Sequence, residues 1–337
     1  MLVLAGLTAC SPPLDPPWLI RDATEIALLV EVEAQGPYGE PIVPGPRTYR
    51  DALPLDRLSL EPVIVDESGR VAVENLEGAW FLCSGVGNCL LRSRLGARPT
   101  CEDEQVQPEE SCRFAEGGRA ELVMGNVPDD LPEDEASIFD LLSGPTVAFI
   151  GSAVDGPGME ACIARFDGRE RLEGCLLMER FLGVGPLGDV ADLLESLGYD
   201  TGLELGFETL LAQPRNRNPA VEEFVVRYGG ERRTVRQGER IEVPRGELIT
   251  VNVSTTDEDL DSFEVTLEVS GELAIINDEL SAEWWFDRDI DLEDELPGSM
   301  NARWSANGID DQVRAYVALR DSRGGEAWGW LDFEIVD

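Results

Sequence analysis

Ala327-Trp328-Gly329-Trp330-Leu331-Asp332-Phe333-Glu334-Ile335-Val336 alternates in character from one residue to the next. In an extended strand successive side chains point to opposite faces, so Ala327, Gly329, Leu331, Phe333 and Ile335 share one face while Trp328, Trp330, Asp332 and Glu334 share the other. Just upstream, Val313, Ala315, Val317 and Leu319 alternate with Arg314, Tyr316 and Ala318, and Gly324-Gly325 lies between the two runs. The pair predicts a hairpin with one dry face and one outer face carrying Trp328, Trp330, Tyr316 and Arg314. Two readings of that outer face stay open: a platform on which a glycan or an envelope protein stacks, or a surface covered by the rest of the chain. Trp284 and Trp285 are adjacent, so a regular strand must send one to each face.

Outward from this hairpin the pattern stays strand-like. Runs at 220–228, 240–243, 248–254, 263–269, 273–276 and 283–286 complete about 120 residues of short, closely spaced strands, which suggests a β-sandwich. Pro214-Arg215-Asn216-Arg217-Asn218-Pro219 is polar and proline-bracketed and reads as a linker. Before it, strand candidates fall at 25–34, 58–65, 71–83, 120–124 and 146–154, with helices at 133–142 and 189–197. The expected fold is mainly β, with two β-rich domains: residues 19–213, with short helices and disulfide-stapled loops, and residues 220–337, a sandwich, joined by 214–219.

Seven cysteines are present. Setting Cys10 aside leaves six, which in an exported chain reads as three disulfides. A hairpin turning at Gly168-Arg169 would place Cys162 directly opposite Cys175 at bonding distance. Cys101 with Cys112 and Cys83 with Cys89 are the expected local bridges. Zinc is disfavoured, because no CxxC spacing and no histidine occurs.

The net charge of -40 makes nucleic acid an unlikely ligand and anionic membrane surfaces poor partners. Zero histidine removes the Ser-His-Asp and Cys-His arrangements. Gly183-Val184-Gly185-Pro186-Leu187-Gly188 matches GxGxxG, but with no βαβ sequence after it, it reads as a glycine-rich strand-to-helix turn rather than a cofactor loop. Asp257, Asp259 and Asp261 are candidate oxygen ligands for calcium, but in so acidic a chain a solvated turn is the favoured reading. No other cofactor is expected.

Leu7-Thr8-Ala9-Cys10 resembles the bacterial lipobox. The resemblance implies a signal peptide over residues 1–10, lipidation at Cys10 and a membrane-anchored, exported protein, with Ser11 similar to the residue that sorts lipoproteins to the outer membrane. Residues 11–18 then form a proline-rich tether. No Lys or Arg precedes the apolar run, and a true start upstream of Met1 is expected to supply the basic n-region of a signal peptide.

Asn218-Pro219, Asp257-Glu258-Asp259-Leu260-Asp261 and the 313–325 segment of the closing hairpin resemble bacterial Ig-like domains of the PKD and cadherin-like kind. The whole layout is similar to uncharacterised lipoproteins of myxobacteria, in which a Trp and a Cys close a strand; Trp80 and Cys83 fit that place. These resemblances imply a non-catalytic surface protein acting in adhesion, ligand display or scaffolding. The alternatives are a carboxylate-dependent glycan-acting enzyme and a structural component that binds cell-wall polymers.

Overall fold

The computed structural model describes residues 16, 18–39, 41–43, 45, 47–83, 95–101, 105–106, 111–125, 144–198, 211–255, 261–267, 272–293, 298–307, 309 and 312–337. Cys10, Cys89, Asp257, Asp259 and the expected helix at 133–142 lie outside these residues. The fold is mainly β, as expected.

In the amino-terminal half, β1 (Thr24–Ala34), β2 (Arg57–Asp66), β3 (Gly69–Arg70), β4 (Leu76–Cys83), β5 (Gln105–Val106), β6 (Cys112–Glu116), β7 (Ala120–Met124), β8 (Thr146–Ala153) and β9 (Leu176–Phe181) form two sheets. One runs β1-β2-β7-β5 with β3 paired to β2; the other runs β6-β4-β8-β9. Leu28, Val30, Leu58, Leu60 and Ile64 of the first meet Trp80, Leu82, Val147 and Phe149 of the second, and these buried side chains supply the driving force for closing the pair.

The outer face of the second sheet is apolar too, because Ala79, Phe81, Ala148 and Ile150 alternate with the residues facing inward. Helix α1 (Met159–Gly168) covers it with Cys162 and Ile163. This segment was expected as half of a hairpin, and the structure corrects that. Met159, Cys162, Ile163 and Phe166 recur at helical spacing and reach the sheet together. Arg169, in the left-handed region at φ 57°, closes the helix. Cys162 and Cys175 are nevertheless bonded, with Cα atoms 5.6 Å apart, so the bridge ties the helix to the start of β9 and not one strand to another. Cys101 and Cys112 are bonded as expected. Cys83 is itself disulfide-bonded.

A second helix, α2 (Leu187–Ser196), begins two residues before the predicted start. It buries Val190, Ala191 and Leu194 against Leu53, whereas Leu197, expected on the same face, lies beyond the helix and is exposed.

The carboxy-terminal half contains β10 (Glu223–Tyr228), β11 (Glu231–Arg236), β12 (Arg240–Pro244), β13 (Leu248–Ser254), β14 (Ser262–Leu267), β15 (Glu272–Asn277), β16 (Leu280–Phe286), β17 (Asp291–Leu292), β18 (Asn301–Ser305), β19 (Gln312–Asp321) and β20 (Glu326–Val336). A sheet ordered β11-β10-β13-β18-β17 packs on one ordered β12-β20-β19-β16, and β14 pairs with β15 alone. Phe224, Val226, Ile249, Val251 and Trp304 from the first meet Trp284, Phe286, Val313, Val317, Leu331 and Phe333 from the second. The hairpin read from sequence is β19–β20, with Val317 opposite Gly329 and Tyr316 opposite Trp330. Gly329 has to lack a side chain, because a Cβ there would come within 2.5 Å of Val221.

Trp18 and Leu19, at the expected junction between tether and first domain, lie instead along the free edge of β16. Ile20 N–H donates to the Phe286 carbonyl at 2.8 Å, and Phe286 N–H donates to the Trp18 carbonyl at 2.8 Å. The Trp18 ring enters the carboxy-terminal core edge-on to Phe286, 6.1 Å between centroids.

Candidate functional site

The densest constellation of functional groups is a buried seam of arginines and carboxylates where the two halves meet. Its contributors are the strand edge β1, the 47–56 segment, the 214–219 segment and the β19–β20 turn. That turn, Asp321-Ser322-Arg323-Gly324-Gly325-Glu326, is pinned from within: Asp321 accepts the N–H groups of Arg323 and Gly325, both at 2.8 Å. Gly325 is required there, since a Cβ would lie 2.3 Å from the Asp321 carboxylate.

From this turn Arg323 donates to Asp278 at 2.9 Å, to Asp261 at 3.0 Å and to the Pro214 carbonyl at 2.7 Å. Arg47 approaches the same Asp261 from the other half at 3.1 Å and also donates to the carbonyls of Arg217 and Asn218. Nearby, Arg215 pairs with fully buried Asp56, whose oxygens also accept the N–H groups of Gly36 at 2.6 Å and Leu53 at 2.8 Å. Burial raises the pKa of Asp321 above the ordinary aspartate range.

The 214–219 segment, expected as a solvated linker, is part of this seam. Asn216 and Asn218 are buried, and Asn218 donates to the Val30 carbonyl at 2.8 Å while accepting the Glu326 N–H at 3.1 Å. Buried polar side chains are costly without partners, and Asn218 finds them on both halves, while the Asn216 amide reaches Asp321 at 3.5 Å and its side-chain oxygen has no partner among the described residues.

Glu326 closes the other end. It is 3% exposed and accepts from Arg320 at 2.6 Å, from Arg180 of β9 and from the N–H of Leu28 at 2.9 Å. The free edge of β1 is thereby occupied along its length: the Ile26 carbonyl accepts from Arg320, Leu28 donates to Glu326, Val30 accepts from Asn218, and Val32 donates to the Tyr49 carbonyl. An unpaired edge invites another strand, and here it is filled by the side chains of Arg320, Glu326 and Asn218 and by the Tyr49 carbonyl. Glu25, one turn of the strand away, accepts the Leu177 N–H; burial pushes its pKa up to about 7, against the pull of that hydrogen bond and of Arg180.

The expected aromatic platform lies against the same boundary. Ile20, Ile26, Ala27, Val63 and Val65 of the amino-terminal half cover Trp285, Tyr316 and Ala318, with Trp328 and Trp330 packed at the margin. Tyr316 is 2% exposed, and Arg314 is held by Asp332 at 2.5 Å, so neither offers a free surface. Trp328 and Trp330 stack on each other at 5.1 Å with planes 16° apart, and the Arg70 guanidinium sits 4.9 Å above Trp328. Both rings are half-buried. The adjacent tryptophans divide as alternation requires, Trp284 to the sandwich core and Trp285 to the boundary.

Of the calcium candidates only Asp261 is described, and its carboxylate is shared by two guanidinium groups. Among the described residues no group of three or more potential ligands could hold a metal ion. Gly183 and Gly185 are explained by packing: a Cβ at Gly183 would lie 2.1 Å from both Arg50 and Asp51. Sequence reading missed Arg47, Asp56, Arg180, Asp278 and Glu326. Long-range ion pairs leave no periodic signal, and the one local clue was an Asn-rich segment held between two prolines.

No family model matches the chain, and no curated protein matches it. Among solved structures it is similar to a nucleoside hydrolase-related hypothetical protein from Saccharophagus degradans that is associated with carbohydrate metabolism. That match has 10% identity over 53% of this chain and 38% of the other, with a TM-score of 0.22. It is also similar to dimeric latent PorU from Porphyromonas gingivalis, at 12% identity over 92% of this chain and 24% of the other, with a TM-score of 0.19. The chain therefore spans well under half the length of either, and likeness at these TM-scores carries no argument about fold or activity. Among the described residues no helix is long and apolar enough to cross a membrane.

Proposed function

We propose that the chain is a non-catalytic, lipid-anchored envelope protein. Its two β-rich domains, 19–213 and 220–337, act together as a rigid scaffold or display module, lipidated at Cys10 and exported to the outer membrane. The observation that carries this reading is the buried seam. Its carboxylates are each engaged by a guanidinium or a backbone N–H, an arrangement that fixes one geometry between the halves and leaves those groups spent on structure. Six remaining cysteines, two pairs of them bonded, fit an oxidising compartment.

The test has two arms. Cells expressing the full chain and fed an alkyne-tagged palmitate should yield a tagged protein, and Cys10→Ser should abolish the tag; an untagged wild type removes the anchor. Purified Cys10→Ser chain incubated with cell-wall polysaccharide should release no new reducing ends. Release would replace the display reading with a glycan-acting enzyme.

A further inference from the structure

The carboxy-terminal sandwich has a second outer face, on the side away from the amino-terminal half. In the register of β10 with β11, Glu223 faces Arg236, Val225 faces Thr234 and Arg227 faces Arg232. Phe224, Val226 and Tyr228 are buried, so these alternate pairs point outward. The row continues across the sheet through Thr250 of β13 to Arg303 of β18. Arg227, Arg232 and Arg236 are exposed, and Arg303 is half-buried beside Glu293.

Two features single this face out. Like charges set directly opposite each other on adjacent strands repel, and Arg227 and Arg232 face each other without an ion pair among the described residues. Residues 223–245 carry six arginines and four glutamates, a net positive stretch in a chain of net charge -40. A pairing that costs stability is relieved when an anion lies over both guanidinium groups.

The position of the amino-terminal segment says which anion. Trp18 is held in the core of this same sandwich. Seven residues separate it from Cys10, eight Cα–Cα steps that span at most about 29 Å when fully extended. An anchor at Cys10 therefore keeps the carboxy-terminal sandwich beside the bilayer. The amino-terminal half covers part of the outer face of the β16-β19-β20 sheet, and among the described residues none forms a hydrophobic layer over the arginine-bearing face.

We propose that this face, centred on Arg227 and Arg232 and flanked by Arg236 and Arg303, docks on phosphate-bearing lipid headgroups and lays the carboxy-terminal sandwich flat on the membrane. Charges farther away than a Debye length, about 8 Å at physiological salt, are screened, so the face itself decides the contact; there Glu223 opposite Arg236 and Glu293 beside Arg303 offset the flanking arginines, and Arg227 with Arg232 carries the attraction. The proximity argument rests on the lipoprotein reading; the arginine argument stands without it.

The test uses the full chain as Cys10→Ser, which cannot be lipidated, sedimented with vesicles of phosphatidylglycerol and phosphatidylcholine or of phosphatidylcholine alone, the second set measuring any uptake through the apolar first nine residues. Binding to the anionic vesicles, weakening as salt rises, is expected. Arg227→Gln with Arg232→Gln should lower it by about fivefold per arginine. The same charge change at exposed Arg169 and Arg171, on the amino-terminal half, should leave it within about twofold. No binding to anionic vesicles, or an equal loss from both pairs, overturns the proposal. A wild type without the palmitate tag would remove the anchor alone, because the vesicle result does not depend on it.

Discussion

The two outer faces of the carboxy-terminal sandwich are built by the same alternation and meet opposite fates. On the β16-β19-β20 sheet the outward positions include Trp285, Tyr316 and Ala318, which the amino-terminal half covers, and Trp328 and Trp330, which pack at the margin of that contact. On the β11-β10-β13-β18 sheet they are Glu223, Val225, Arg227, Arg232, Thr234, Arg236, Thr250, Asn252 and Arg303, and no other part of the described chain packs on them as a hydrophobic cluster. Alternation decides which residues leave the core. The chemistry of those residues then decides whether another layer is needed.

Removing a member of the covered face should therefore be costly. Trp285→Ala takes a buried ring from the boundary and should cost about 3–5 kcal/mol in urea unfolding. Glu326→Ala should cost less, about 1–3 kcal/mol, because it leaves the buried Leu28 N–H without its acceptor, whereas Arg320 keeps Glu283 and the Ile26 carbonyl. If either variant unfolds at the wild-type midpoint, the halves are not coupled through this surface. A third outer face, that of the β4-β8 sheet under helix α1, sharpens the contrast, since it is covered by a local element held by a disulfide. Replacing Cys162 and Cys175 with Ser should cost about 3 kcal/mol, the scale for a loop of this length.

A smaller effect comes from pH. The pKa of Glu25 is about 7 in the folded chain against 4.5 for an ordinary glutamate, so the native state holds this proton more tightly than the unfolded state does. Its contribution is destabilising above about pH 7 and fades as pH falls toward 4.5. Burial shifts Asp321 in the same sense. The Tm should thus be higher at pH 5.5 than at pH 8, and Glu25→Gln should flatten that slope. The smallest effect belongs to the exposed face. Arg227→Gln should change stability by no more than about 0.5 kcal/mol, with a gain favoured because Arg232 stands opposite.

These differences mark what could be read from sequence. β13 and β7 match their predicted bounds, and β20 is off by one residue, because each alternates over an uninterrupted run. β11, Glu-Arg-Arg-Thr-Val-Arg, was missed because an edge strand that buries almost nothing has no apolar period to detect. Helix α1 was misread because Ala, Cys and Ile in a short run suit a strand as well as a helix, and the sheet face that decides between them comes from β4 and β8, far away in sequence. The aromatic outer face was legible as a surface needing contact. Its occupant was not, because Ile26, Val63 and Val65 carry no mark that they pack outward as well as inward.

The strap formed by Trp18, Leu19 and Ile20 has a mechanical consequence. A pull on the chain upstream of Trp18 is transmitted first to the edge of β16, through the two hydrogen bonds with Phe286 and the wedged indole ring. Tension reaches β1 only after that attachment gives way. A load opposed at the carboxy terminus thus enters the carboxy-terminal sandwich before it enters the sheets of the amino-terminal half.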